Sequence, residues 1–291
     1  MKSADPLAGS DIQPLLELEA LGGQRFLASH YDLNQQGRIY GGQLLAQAGV
    51  AASRLAANRS LTYLSALFLR GAIAGYPIEY SVETLQQGRR FSSFHVRGIQ
   101  RERPVIDVNV SFQAHEVGVE HTWLMEEAVP PPEACQSLEG LAYAHASELA
   151  RHNYQLLSKT TIEARFVEPE DFLFKAAVHP KMAFWIRLRG SRLENALQRS
   201  LATIYLSDYF LGYCIIASHR PMVGARNDMY VASLNHAIWL HEQCDPADWL
   251  LCVAESPCAN SGRGLSLAKL YRRDGALVAS VSQEMSVTAK L

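Results

Sequence analysis

The chain has 291 residues, 48% of them hydrophobic and 19% charged, and a formal net charge of −2. That is ample apolar material for one large domain or two of ordinary size, and so nearly neutral a balance gives no footing for nucleic acid or an anionic membrane as partner. The five cysteines, Cys135, Cys214, Cys244, Cys252 and Cys258, form no CxxC pair, which argues for reduced intracellular thiols and against a zinc site or a disulfide framework. The N-terminal MKSADPLAGSD lacks the apolar segment of a signal peptide, so a cytoplasmic location is expected. The C-terminal Ala289-Lys290-Leu291 is close to the Ser-Lys-Leu peroxisomal address, a match with meaning only in a eukaryote.

In chain order, Arg25 to Tyr31 reads as a strand, and Gly41-Gly42 opens a helix over residues 43 to 58. Its small residues Ala46, Ala48, Gly49, Ala51 and Ala52 permit close packing on a sheet, and Asn58 is a terminator. From Thr62 the period changes to two. Ile78, Tyr80 and Val82 alternate with polar neighbours, as do Ile106, Val108, Val110 and Phe112, the pattern of half-buried antiparallel strands. Turn signals fall at Gln86-Gln87-Gly88 and Arg101-Glu102-Arg103-Pro104. Pro130-Pro131-Pro132 and the polar stretch to Lys159 read as a connector with a surface helix around Leu138 to Leu157. Strand patterns resume at Thr161 to Val167 and Met182 to Arg189.

Leu201 to Ala217, LATIYLSDYFLGYCIIA, is the most apolar run and carries one charge, Asp208. It is short for a membrane span, and a soluble helix apolar all round is buried. Ser191 and Glu194 stand at capping-box spacing, which starts this helix near Arg192, extends it to about Gly212 and puts Asp208 deep inside. An acid so buried either acquires hydrogen-bond donors or serves a function.

After this helix the first half repeats. VASLNHAIWLH, DWLLCVAESP, GRGLSLAKLYRR and ALVASVSQEMSV follow in the order and spacing of the first series, with Gly262-Arg263-Gly264 in the place of Gly88-Arg89-Arg90. Two copies of a unit of roughly 110 residues, each an antiparallel sheet around a helix, account for the length.

The first half, with YGGQLLAQA, LFLRGA, PIEYSVETLQQGRRFSSFHVRGIQ and VSFQA, resembles the type II acyl-CoA thioesterases. So does the second, with WIRLRGS, YLSDYFLG, ASLNHAIWLH, ESPCANSGRGL and VSQE. The resemblance runs from about Leu15 to Val287 and implies an α+β double hot-dog: two tandem antiparallel sheets, each wrapping a long helix. Residues 1–115 would form the N-terminal hot-dog, 116–160 a linker and 161–291 the C-terminal hot-dog. It implies hydrolysis of a fatty acyl-CoA to free acid and coenzyme A by an activated water, without cofactor or metal. The family's water-holding trio, an acid, a hydroxyl and an amide, falls on Asp208, Ser233 and Gln283. Where family members read Asp-His-Ser, this chain reads Asn235-His236-Ala237, so any electrostatic support from that Asp is absent.

By residue type alone, Ser233 and Gln283 are ordinary polar strand positions; the resemblance singles them out, since a hydroxyl and an amide each donate and accept. Asp208 would serve as general base, worth about 100- to 10,000-fold in rate. Gly41 and Gly42 are either oxyanion donors at a helix start or a tight strand-to-helix turn. Arg89, Arg90, Arg263, Arg272 and Arg273, at turns, are either contacts for the coenzyme A phosphates or solvated turn residues. His236 on an apolar strand reads as a packed core histidine, and His241 falls on the opposite face, which disfavours a metal site. No GxSxG elbow is present. The rivals are an enoyl-CoA hydratase on a related double hot-dog and a non-catalytic acyl-CoA-binding protein, the latter motivated by Asn235. Exposed sheet edges suggest a homodimer or higher homo-oligomer.

Overall fold

Alternating side chains become strands and the two apolar runs become helices. The computed structural model describes residues 3–125, 128–151, 158–175, 180–217, 219 and 229–289. The N-terminal stretch supplies β1 (Asp5–Pro6), β2 (Glu19–Gly22), β3 (Arg25–Ala28) and β4 (His30–Tyr31), of which β1 and β4 pair in parallel as a separate ribbon. Helix α1 (Gly41–Ser53) comes next, followed by β5 (Ser60–Phe68), β6 (Ile78–Gln87), β7 (Phe91–Gln100) and β8 (Arg103–Gln113). α1 stops short of Asn58, which sits in the following turn at φ +59°.

The connector carries β9 (Gln136–Ser137), α2 (Leu138–Ala144) and α3 (Ala146–Arg151). The surface helix expected over 138–157 is thus divided at His145, and residues 152–157 lie outside the described residues. Then come β10 (Ile162–Phe166), α4 (Glu170–Leu173), β11 (Lys181–Leu188), α5 (Ala196–Ser207), α6 (Leu211–Ala217), β12 (Met229–Leu240), β13 (Leu250–Asn260), β14 (Arg263–Arg272) and β15 (Leu277–Ala289). Lys290 and Leu291 of the C-terminal tripeptide lie outside the described residues.

The expected α+β architecture is present, with the two helix-wrapping sheets fused into one. A 13-stranded sheet runs β2-β3-β6-β7-β8-β5-β12-β15-β14-β13-β11-β10-β9. The seam is the antiparallel pair β5 and β12, from Leu67 opposite Asn235 to Tyr63 opposite Trp239. Among the described residues the edges are the four-residue β2 and the two-residue β9.

Inside the sheet, α1 and α5 pack antiparallel, and two glycines set how close they come. A Cβ on Gly49 would stand 2.7 Å from Leu201, and one on Gly42 only 2.3 Å from the Tyr205 carbonyl oxygen. The small residues of α1 therefore serve a helix-to-helix contact as well as a helix-to-sheet one.

The helix carrying Asp208 differs from expectation at both ends. Asn195, not Ser191, caps it: the Asn195 side chain accepts from Gln198 N at 2.9 Å, and Gln198 Oε1 accepts in return from Glu194 N at 2.7 Å. The cap is thus shifted four residues along, and its return bond reaches the residue before the N-cap, whereas that of a capping box reaches the N-cap itself. Ser191 Oγ instead accepts from Ile12 N, tying the N-terminal stretch to the second half.

At the other end α5 stops at Ser207, Asp208 is its C-cap, and α6 starts afresh at Leu211. The break falls at Phe210, which adopts φ +67°, a costly backbone for a bulky side chain. Ring contacts to Phe166, Phe184, Tyr209 and Tyr213 hold it there. The interruption brings Asp208 out of the helix body and leaves its side chain half-buried.

Candidate active site

Asp208 at the end of α5 meets the start of α1. Gly42 N–H donates to Asp208 Oδ2 at 2.9 Å, so the positive end of α1 faces the carboxylate. Gln283 on β15 donates through the same Nε2 to Asp208 Oδ1 at 2.7 Å and to Ser233 Oγ at 2.8 Å. The three candidates Asp208, Ser233 and Gln283 are therefore in direct contact, with the carboxamide as the bridge.

Strand alternation alone does not give this arrangement. On a regular strand, Ser233 and His236, three residues apart, would face opposite sides. The β12–β15 register slips between Ser233 and Asn235, and this bulge turns Ser233 inward beside Gln283. His236 also faces inward, buried, with Nε2 2.9 Å from Ser207 Oγ.

Asn235 points the other way. Its Nδ2 donates to Glu284 Oε2 at 3.0 Å and its Oδ1 accepts from Glu284 N at 3.2 Å. An Asp at 235 would put a second carboxylate against Glu284. The departure from the family pattern thus lies on the sheet face away from Asp208, and the concern it raised for the site does not apply.

Burial pushes the Asp208 pKa up to about 6, held from going higher by the Gln283 hydrogen bond, the Gly42 N–H and the positive charge of Lys159. Lys159 and Asp32 form a 2.9 Å ion pair shielded from solvent, with Lys159 Nζ also 4.4 Å from the centre of the Tyr40 ring. Burial pushes the Lys159 pKa down, against the pull of Asp32. The Tyr205 hydroxyl donates to Asp32 Oδ2, and the Tyr40 hydroxyl donates to the Tyr205 carbonyl at 2.9 Å. These neighbours lie outside the sequence expectations. Burial likewise drives the His236 pKa down to about 4, so the ring is neutral at ordinary pH.

The oxyanion candidates separate. Gly42 N–H is spent on Asp208 Oδ2, and so is not a donor to substrate. Gly41, the first residue of α1, keeps its N–H outside the helix ladder. A Cβ on Gly41 would stand 2.7 Å from Asp208 Oδ2, so the absent side chain leaves open the space beside the carboxylate.

The five arginines do not converge. Arg90 pairs with Glu116 at 2.9 Å, Arg272 with Asp274 at 2.8 Å and Arg273 with Glu133 at 2.6 Å. The Arg89 carbonyl accepts from Arg59. Arg263 lies 3.4 Å from Glu284, the neighbour of Gln283. Arg263 and Arg272 end the same ten-residue strand, about 30 Å apart, and only Arg263 is at the end close to the register of Gln283.

Comparison with known proteins yields a consistent set. A family model described as the acyl-CoA thioesterase N-terminal domain matches residues 30–113, and one described as the C-terminal domain matches residues 132–287. The chain is 30% identical to acyl-coenzyme A thioesterase 8 of Mus musculus, covering 96% of this chain and 89% of the relative. It is 31% identical to acyl-CoA thioesterase 2 of Haemophilus influenzae, covering 93% and 94%. The crystal structure of the acyl-CoA thioesterase II TesB2 from Mycobacterium marinum superposes with a TM-score of 0.77 at 26% identity, covering 96% of this chain and 98% of that one.

Proposed function

The chain belongs to the type II acyl-CoA thioesterase family and is an acyl-CoA hydrolase, and from that premise we propose that its hydrolytic water is held between Asp208 and Ser233. Gln283 Nε2 has two protons, both occupied by Asp208 Oδ1 and Ser233 Oγ. Gln283 is thus a positioning residue, a strut that spaces acid and hydroxyl, and does not touch the water. Ser233, accepting from Gln283, retains its own proton to donate to the water or the substrate.

Asp208 accepts one proton from the water as its oxygen attacks the thioester carbonyl carbon. Gly41 N–H, with the helix behind it, receives the charge that develops on the carbonyl oxygen. Collapse of the tetrahedral intermediate breaks the C–S bond, and the proton held by Asp208 passes to the departing thiolate. The products are the free acid and coenzyme A. Arg263, paired with Glu284 on the sheet face away from Asp208 and at the strand end closer in register to Gln283, exchanges that acid for a coenzyme A phosphate that reaches past the strand end.

One observation carries this reading: a single buried carboxamide links an acid of raised pKa to an inward-turned hydroxyl. The test is free-thiol release from acyl-CoA by the Asp208→Asn variant, with its melting temperature measured alongside. Turnover is expected to fall by about 100- to 10,000-fold with folding retained. A folded variant hydrolysing within a few-fold of the parent overturns the assignment.

A further inference from the structure

Ser266 Oγ, across from Gln283 on β14, has no hydrogen-bond partner, and neither do two buried polar atoms beside the site, Gln283 Oε1 and His236 Nδ1. Their residues are direct cross-strand partners on β15 and β12, both 1% exposed, and both face the interior. A buried carboxamide oxygen without a donor is unfavourable, and a neutral imidazole carries one N–H whose position is set by its neighbours.

There are two ways to place that proton. With it on Nε2, His236 donates to Ser207 Oγ, which in turn donates to the Ile204 carbonyl at 2.8 Å; Nδ1 and Gln283 Oε1 are then two acceptors with no hydrogen to share. With it on Nδ1, the ring donates to Gln283 Oε1, and Ser207 turns its hydroxyl to donate to Nε2. Only the second gives Nδ1 a hydrogen to offer to Gln283 Oε1. The Gln283 side chain also works against burial to raise the His236 pKa, as an acceptor of a ring hydrogen bond does.

The internal repeat supplies an independent indication. β5 slips against β8 between Leu61 and Tyr63, as β12 slips against β15 between Ser233 and Asn235. Counting from these bulges, Leu61, Leu64 and Val110 occupy in the first half the positions of Ser233, His236 and Gln283 in the second. All three counterparts are buried and apolar. His236 is polar where Ser233 and Gln283 are polar, and its counterpart is a leucine where theirs are leucine and valine.

We propose that His236, as its Nδ1–H tautomer, is a positioning residue that donates to Gln283 Oε1 and so keeps both amide protons directed at Asp208 and Ser233. This rests on the site reading above and goes beyond it. When Asp208 takes up a proton, its new O–H is able to donate to a carboxamide oxygen, and an unrestrained amide turns over to accept it. His236 prevents that turn at the point in the reaction where Asp208 carries a proton.

The test compares three substitutions with the parent and with Asp208→Asn. His236→Asn puts an N–H donor where Nδ1 is; His236→Gln puts one where Nε2 is and leaves Gln283 Oε1 without its donor. Ser266→Ala removes the other polar side chain across from Gln283, whose unpartnered hydroxyl is the competing donor to Gln283 Oε1. The expected results are a fall in kcat of roughly tenfold or more for His236→Gln, KM little changed, most of that loss restored in His236→Asn, and little effect from Ser266→Ala. The acid limb of the His236→Gln profile should also move to higher pH, because the Gln283 hydrogen bond lowers the Asp208 pKa.

Equal losses in His236→Asn and His236→Gln, parent-like His236→Gln, or a loss confined to Ser266→Ala each overturn the proposal. Nitrogen NMR of the imidazole in the unsubstituted protein reads the tautomer without any variant, and an Nε2–H ring also overturns it. If Asp208→Asn stays active, the site reading fails. If Asp208→Asn is inactive and His236→Gln is normal, only the role of His236 fails.

Discussion

The two halves share a backbone plan and differ in what they place on it. Each has a long helix against antiparallel strands, and each has a bulge where the strand at the seam meets its inner neighbour. In the first half the strand beyond the bulge sets Leu64 opposite Val110, with Leu61 on the other side of the slip; in the second the bulge brings Ser233 to Gln283. The C-cap of α1 is Arg54, whereas that of α5 is Asp208. The first half supplies backbone to the site, Gly41 and Gly42, and the second supplies side chains. One site is therefore built from two unlike copies, and the bulge belongs to the scaffold while the chemistry belongs to the side chains it orients.

Exchanging side chains between the copies gives the largest expected effect. Gln283→Val, which installs the first-half residue, should lower turnover by at least about a hundredfold, because Asp208 and Ser233 lose their shared donor. The reverse exchange, Val110→Gln, should leave thiol release near the parent rate and lower stability by about 1–3 kcal/mol, since Leu61 and Leu64 offer the new amide nothing to bond. Paired rate and denaturation measurements check both. Activity surviving Gln283→Val would mean that the halves differ without functional consequence.

What each half owes to local sequence explains how far it was legible. Period-two alternation depends on the faces of a strand, so Ile78 to Val82 and Ile106 to Phe112 announced their strands, and Asp208 stood out as the lone charge in an apolar run. The break at Phe210 was not legible, because a left-handed phenylalanine depends on rings brought from β10 and β11. Nor was the pairing of Lys159 with Asp32: a lysine closing a polar connector looks solvated until folding shields it. Gly42 stood in the sequence as either a carbonyl-binding donor or part of a tight turn, and only the meeting of α1 with α5 reveals that Asp208 takes its N–H. The inward turn of Ser233 depends on a register slip that alternation does not signal.

The two adjoining glycines sharpen the division between backbone and side chain. A methyl at Gly41 meets the Asp208 carboxylate, a side chain able to shift, whereas one at Gly42 meets the Tyr205 carbonyl at 2.3 Å, where only backbone can give way. Gly41→Ala should therefore fold and lose roughly tenfold or more in kcat/KM, in line with the cost of misplacing a reacting group. Gly42→Ala should lose stability first, by about 1–3 kcal/mol. The comparison is made by thermal melts and thiol release on both variants, and a stable, active Gly42→Ala would contradict the helix contact described.

Acidity separates the halves as well, since the apolar first-half positions have nothing to titrate. Burial raises the Asp208 pKa to about 6, and the base is active when ionised, so kcat/KM should be level above that pH and fall about tenfold per unit below it. Lys159 holds this pKa down; Lys159→Met removes the charge, and the acid limb should move to higher pH. A limb that stays in place would show that the Lys159 charge does not reach the carboxylate.

The smallest expected effect tests the turns. Arg90 and Arg263 lie at the corresponding turns of the two halves, and each faces an acid, Glu116 or Glu284. Only Arg263 lies on a strand paired with the strand bearing Gln283. Arg263→Gln should raise KM by about twofold to fivefold, the range of an exposed charge contact, without changing kcat, because a phosphate far from the thioester is bound equally in the ground state and the transition state. The parent KM should rise with added salt and that of the variant should rise less, as screening acts on the contact the variant lacks. Arg90→Gln is the internal control: with its half carrying Leu61, Leu64 and Val110 in place of the polar trio, its KM should not move. An equal rise in both variants would mean that the first half also binds substrate, and that the division between the copies is less complete than their side chains indicate.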